Sequence, residues 1–118
     1  MAVTLNGTTI YPSDVAMQES KIGKTQINAN GGRTFIHRTS GGSPIYKRQW
    51  DLSFDTITEA RRAALRTLSR VTTTMTFVDD TGASSTVQTE DGAYSQSVAF
   101  IALDGSLYYN VSLTLYEA

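Results

Sequence analysis

A single histidine, His37, and eleven acidic side chains are the groups in this sequence that could move a proton in general acid–base work. A Ser-His-Asp arrangement needs its base held rigidly, and the nucleophile usually sits on a sharp turn of the G-x-S-x-G kind. His37 instead lies in "NGGRTFIHRTSGGSP", between two Gly-Gly pairs, and no such elbow is present. It reads as a solvent or interface histidine. Asp79, Asp80, Glu90, Asp91 and Asp104 could ligate a hard cation, but their spacing does not follow the D-x-D-x-D-G loop. Asp80, Asp91 and Asp104 stand beside or near glycines, where turns recruit Asp for local backbone bonds. The glycine-rich "NGG" and "GGSP" match neither phosphate-binding pattern. The chain has no cysteine, which removes disulfides, thiol catalysis and Cys-based zinc sites. The expectation is no catalytic, metal or cofactor site, and no enzyme.

Two other groupings could recognise rather than react. Arg62, Arg66 and Arg70 recur every fourth residue, with Arg61 beside them. Such a stripe is either a solvated helix face or a surface for an acidic partner. Residues 58–118 hold four basic and seven acidic side chains, the bases in one run and the acids in turns. In a ring of identical subunits, one copy's arginines could meet the next copy's turns. Tyr108 and Tyr116, on the polar side of an alternating strand, could stack on a sugar or face a protein neighbour, or be covered by the fold itself.

The elements that must carry these groups follow from periodicity. "YKRQWDLSFD" alternates, with Trp50, Leu52 and Phe54 on one face and Gln49, Asp51, Ser53 and Asp55 on the other. Arg48 continues the apolar face, which predicts that the strand begins at a sheet edge, its stem covering apolar surface and its head in water. From Thr56–Thr58 the period changes to that of a helix spanning about 58–70, capped by Thr58 or by a Thr56–Glu59 box. Ile57, Ala60, Ala64, Leu65, Leu68 and Val71 form its inner side. Thr73, Met75 and Phe77 share a strand face after it, and Asn6-Gly7 is a hairpin turn. The last strand alternates most cleanly: Leu107, Tyr109, Val111, Leu113 and Leu115 on one side, Tyr108 and Tyr116 on the other. The residues at about 29–44 read as a Gly-flanked arm or hairpin. The fold class predicted is mainly β, a β-sandwich or split β-barrel with a single α-helix, in one domain over 1–118.

Composition bounds the function. A formal net charge of −1 argues against a dedicated or sequence-specific nucleic-acid binder. No apolar run approaches the ~20 residues of a membrane-spanning helix, and residues 1–20 show no secretory pattern.

The run "KRQWDLSFDTITEARRAALRTLSRVTTTMTFVDDTGASSTVQ" resembles a signature of bacteriophage distal tail proteins and baseplate-hub-like small tail proteins. In these an Arg-x-Trp-x-Leu-x-Phe strand enters an (Ile/Leu)-Thr helix, and a later strand ends in Phe-x-Asp near a Gly turn. The matching residues are Arg48, Trp50, Leu52, Phe54, Ile57, Thr58, Glu59, Leu65, Leu68, Phe77, Asp79 and Gly82. "VTLNGTTIYP" looks like the opening strand and turn. The likeness covers the central third of the chain well and the rest loosely. It implies a virion protein, assembled in the host cytoplasm, whose β-sandwich or split-barrel domain forms a hexameric ring between tail tube and hub or fibres. The carbohydrate-binding-like second domain of many members is not expected within these residues. The partners implied are further copies of the chain and other tail or baseplate proteins, with no membrane. Subunit contacts are expected at Phe35, Ile36, His37 and Arg38 of the arm, Arg62, Arg66 and Arg70 of the helix, and Tyr108 and Tyr116. The competing readings are a carbohydrate-binding or adhesion module, a phage neck connector and a capsid decoration protein.

Overall fold

The structure, a computed structural model, describes residues 2–118. Strands β1 (Val3–Leu5) and β2 (Thr8–Ile10) form the opening hairpin. Asn6 and Gly7 both take positive φ, 53° and 79°, the geometry a two-residue hairpin turn requires. Then come β3 (Asp14–Lys21), β4 (Gly23–Ile27), β5 (Arg33–His37), β6 (Thr39–Ser40), β7 (Ser43–Pro44) and β8 (Tyr46–Thr58). Helix α1 (Glu59–Ser69) is followed by β9 (Met75–Val78), β10 (Ser84–Gln88), β11 (Tyr94–Ile101) and β12 (Leu107–Glu117).

The protein is mainly β with one helix. Its central sheet is antiparallel, in the order β2-β1-β9-β10-β12-β8-β3, with β11 also on β12. β12 changes partner along its length: Leu107 to Leu113 pair with β11, while Tyr116 and Glu117 pair with β10. That exchange divides the sheet into two parts and gives the sandwich-like form. Between them lies an apolar cluster whose largest fully buried side chains include Phe54, Phe77, Leu5, Leu52, Leu113 and Leu115. Burying each large apolar side chain stabilises the fold by roughly 1.5–3 kcal/mol.

β8 and β12 alternate as their sequences dictate, and as neighbouring strands they set Trp50, Leu52 and Phe54 beside Leu115, Leu113 and Val111 on the core face of the sheet. Between the pairs Tyr109–Ile57 and Val111–Phe54 the register shifts, Asp55 and Thr56 together opposing Asn110. The extra residue is accommodated at Thr56, whose φ is 54° and whose N–H donates to Asn110 Oδ1 at 3.1 Å. This bulge turns Ile57 inward beside Phe54, which is why the period changes here before the helix begins. Thr58 is the cap, its Oγ1 accepting from Arg61 N at 3.4 Å. Leu65 and Leu68 close the helix over the core, whereas Ala60 and Ala64 remain exposed.

The start of β8 has a partner strand on one side only: Tyr46, Lys47 and Arg48 pair with β3, and β12 joins the other side from Gln49, which lies opposite both Gln18 and Tyr116. Arg48 crosses the Trp50 ring at 5.1 Å and holds Glu117 through two bonds, at 2.6 and 3.0 Å. The stem therefore covers apolar surface while the guanidinium keeps a carboxylate partner, the side chain remaining 37% exposed.

Candidate assembly surface

Beyond the pair Lys21–Tyr46 the chain leaves the central sheet. Strands β4 and β5 pair only with each other, as do β6 and β7. Three backbone bonds join these branches in a closed circuit. Ile22 N–H donates to Ile45 O (3.0 Å), Arg38 N–H to Ile22 O (2.7 Å) and Ile45 N–H to Arg38 O (2.9 Å). The β4–β5 hairpin closes over 28–32, where Asn28 N–H donates to Gly32 O and Asn28 Nδ2 to Thr34 Oγ1. Gly23 is required at its base, because a Cβ there would stand 2.1 Å from Ile36 O.

The arm is thus two hairpins over residues 22–45. It begins earlier than the glycine pairs suggest: the sequence reading of 29–44 takes in β5, β6 and β7 but leaves out β4. Among the described residues, none between Ile10 and Trp50 is a buried member of the core cluster, and Val15 of β3 packs against it. The molecule measures 65 × 31 × 25 Å with a radius of gyration of 18.1 Å, against roughly 13–14 Å for a compact chain of this length.

The arm exposes apolar side chains on both faces, Phe35 and Ile27 on one and Ile36 on the other, Ile27 to 69%. His37 is half-buried, edge-on to Phe35 with ring centroids 5.0 Å apart, and its Nδ1 is enclosed without a hydrogen-bond partner. Arg38 is exposed at the junction. From Ser20 to Trp50 there are six bases, Lys21, Lys24, Arg33, Arg38, Lys47 and Arg48, and no acid. From Val71 to the end there are six acids, Asp79, Asp80, Glu90, Asp91, Asp104 and Glu117, and no Lys, Arg or His. An overall charge near zero thus conceals two oppositely charged regions.

The helix arginines divide. Arg62 folds back over the Tyr109 ring at 5.0 Å, bonds Glu59 and donates to Gln96 Oε1 at 3.0 Å. Tyr94 donates its hydroxyl to the same oxygen at 2.7 Å. The bond from Arg62, with a second from Tyr109, holds Glu59 below the usual carboxylate range, and the same carboxylate raises Tyr109. Arg62 is therefore half-buried in its own chain and not on the outer stripe that its spacing predicts. Arg66 and Arg70 are exposed, but they line one groove with Glu90 and Asp91 of the same chain. Tyr108 is half-buried and stacked on Phe100 at 4.7 Å, and Tyr116 is half-buried between Gln49 and Gln88.

Among the described residues, no three His, Cys, Asp or Glu side chains gather as a metal site. No helix is long and apolar enough to cross a membrane. Sequence reasoning missed an exposed apolar group at the β11–β12 turn, formed by Val98, Phe100, Ile101, Leu103 and Leu107. Its signal was present in "VAFIALDGSL", where apolar residues run on both faces of the strand into the turn. No known family and no curated protein matches the chain.

Proposed function

We propose that this protein is a structural subunit of a phage tail tip or baseplate, one that assembles with copies of itself into a ring joining the tail tube to the hub or fibres. The observation that carries the reading is the arm. A two-stranded hairpin exposing Phe35, Ile36 and Ile27 is marginal in water by itself and gains stability when a neighbour covers it. Open strand edges on β4 and β5 also offer backbone groups to a neighbouring sheet. The central "RQWDLSFDTITE" unit and its β-helix-β arrangement support the tail-protein resemblance. The adhesion alternative draws less support, since Phe100 already covers one face of the Tyr108 ring.

The test shortens the arm. Residues 25–35 are removed, and the paired Lys24 and Ile36 are rejoined through Asn-Gly. The shortened chain should unfold at the same temperature as the parent but no longer form particles in mass photometry or rings in electron micrographs. Particles of the parent's subunit number from the shortened chain would overturn the reading.

A further inference from the structure

Two exposed apolar surfaces lie at opposite ends of one ladder. The arm leaves β8 at Tyr46, and the β11–β12 turn lies beyond the pair Thr58–Tyr108. Twelve residues of strand separate them, roughly 40 Å at about 3.3 Å per residue. One chain therefore cannot cover its own β11–β12 turn with its own arm.

The two ends complement each other in kind. The arm presents Phe35, Ile36 and Ile27 among Lys24, Arg33 and Arg38, none of which has an ion-pair partner among the described residues. The other end presents Ile101, Leu103 and Phe100, with Leu103 fully exposed, beside Asp104. Asp104 accepts from Ser106 N–H at 2.9 Å, which holds its carboxyl below the usual range and keeps it charged. A hollow next to this turn is lined by Thr58, Glu59, Ala60, Ser106, Leu107 and Tyr108. β11 pairs only with β12, so its outer edge carries unpaired backbone groups.

We infer that the arm of one copy docks on the β11 edge and β11–β12 turn of the next copy, joining the chains head to tail. Phe35 and Ile27, on one face of the hairpin, cover Phe100, Ile101 and Leu103, while the arm's bases face Asp104 and the base-free strands β11 and β12. The contact is heterologous: donor and acceptor are different surfaces, so any open series keeps one free end of each kind, and it closes only as a ring. The inference rests on the assembly reading above and adds the surface that receives the arm. Duplex nucleic acid is the competing partner for a basic β-ribbon.

Two variants separate these outcomes, both altering exposed positions. The first, Phe35→Ser with Ile27→Ser, lacks a working donor. The second, Ile101→Ser with Leu103→Ser, lacks a working acceptor. The parent should associate in sedimentation velocity at high concentration, with a dissociation constant rising about tenfold or more between 50 and 500 mM salt. Each variant alone should sediment as a monomer. An equimolar mixture should give a heterodimer and nothing larger, because one intact arm meets one intact turn. A monomeric parent, a mixture that stays monomeric, or an acceptor variant that associates like the parent would each overturn the inference. In that last case, loss of association in the donor variant alone would leave the arm as a subunit contact with a different receptor. An acceptor variant that stays associated while parental arms shift a DNA duplex in a gel would assign the arm to nucleic acid instead.

Discussion

At the scale of single residues, the Glu59–Arg62–Tyr109 group gives the fold a defined pH window. Glu59 titrates below its ordinary 4.5 in the folded protein. Its contribution to stability is therefore present above pH 4.5 and is lost as pH falls through the lowered value. Tyr109 titrates above its ordinary 10.0, so its contribution is present below pH 10 and is lost as pH rises through the raised value. Urea midpoints measured from pH 3 to 11 should fall at both ends, and Glu59→Gln should flatten part of the acid limb. An unchanged acid limb in that variant would show that the ion pair contributes nothing measurable. The group also explains where spacing misleads. Arg62 shares its stripe with Arg66 and Arg70, but only Arg62 has a carboxylate one turn earlier and a tyrosine face within reach. Those partners draw it inward, and Tyr109 comes from a strand 47 positions away, which no local pattern records.

At the scale of elements, legibility follows burial. β8 and β12 could be read residue by residue because each has one face on the core and one toward solvent. The helix was bounded to within a residue at each end by the Thr58 cap and the strand-forming threonines after Arg70. The first strand of the arm, Gly23–Ile27, buries neither face, so "DVAMQESKIGKTQIN" alternates only loosely: it reads as one or two strands, and its second part is not legible as belonging to the arm. The order of strands in the sheet and the transfer of β12 from β11 to β10 are long-range matters that pattern alone does not encode. Gly23 tests the arm as an element. In Gly23→Ala the new methyl meets the Ile36 carbonyl, a backbone atom that cannot rotate away. Amide protection across 23–37 should drop roughly tenfold or more in hydrogen exchange, while β8 and β12 keep theirs. Equal protection of the hairpin in both proteins would mean that the strands pass more loosely at its base than described here.

At the scale of the whole molecule, shape and charge both depart from a compact, evenly charged sphere. The extended dimension is a property of the single chain, so it should persist in dilute solution. Small-angle scattering of the monomer should return a radius of gyration near 18 Å, and the shortened-arm chain should move toward the 13–14 Å of a compact domain. A parent value already in that lower range would mean that the arm folds back onto the sheet.

The closed circuit of Ile22, Arg38 and Ile45 has a consequence for how such a chain can change over evolutionary time. Each branch is satisfied at its root, and Lys21 and Tyr46 remain paired whatever lies beyond them. The β4–β5 hairpin can then gain or lose residues two at a time, one per strand, without moving a single core side chain. An odd insertion would turn half of the hairpin over and exchange its Phe35 face for its Ile36 face. Length differences among descendants of this sequence should therefore concentrate between 24 and 36, and should come in even numbers.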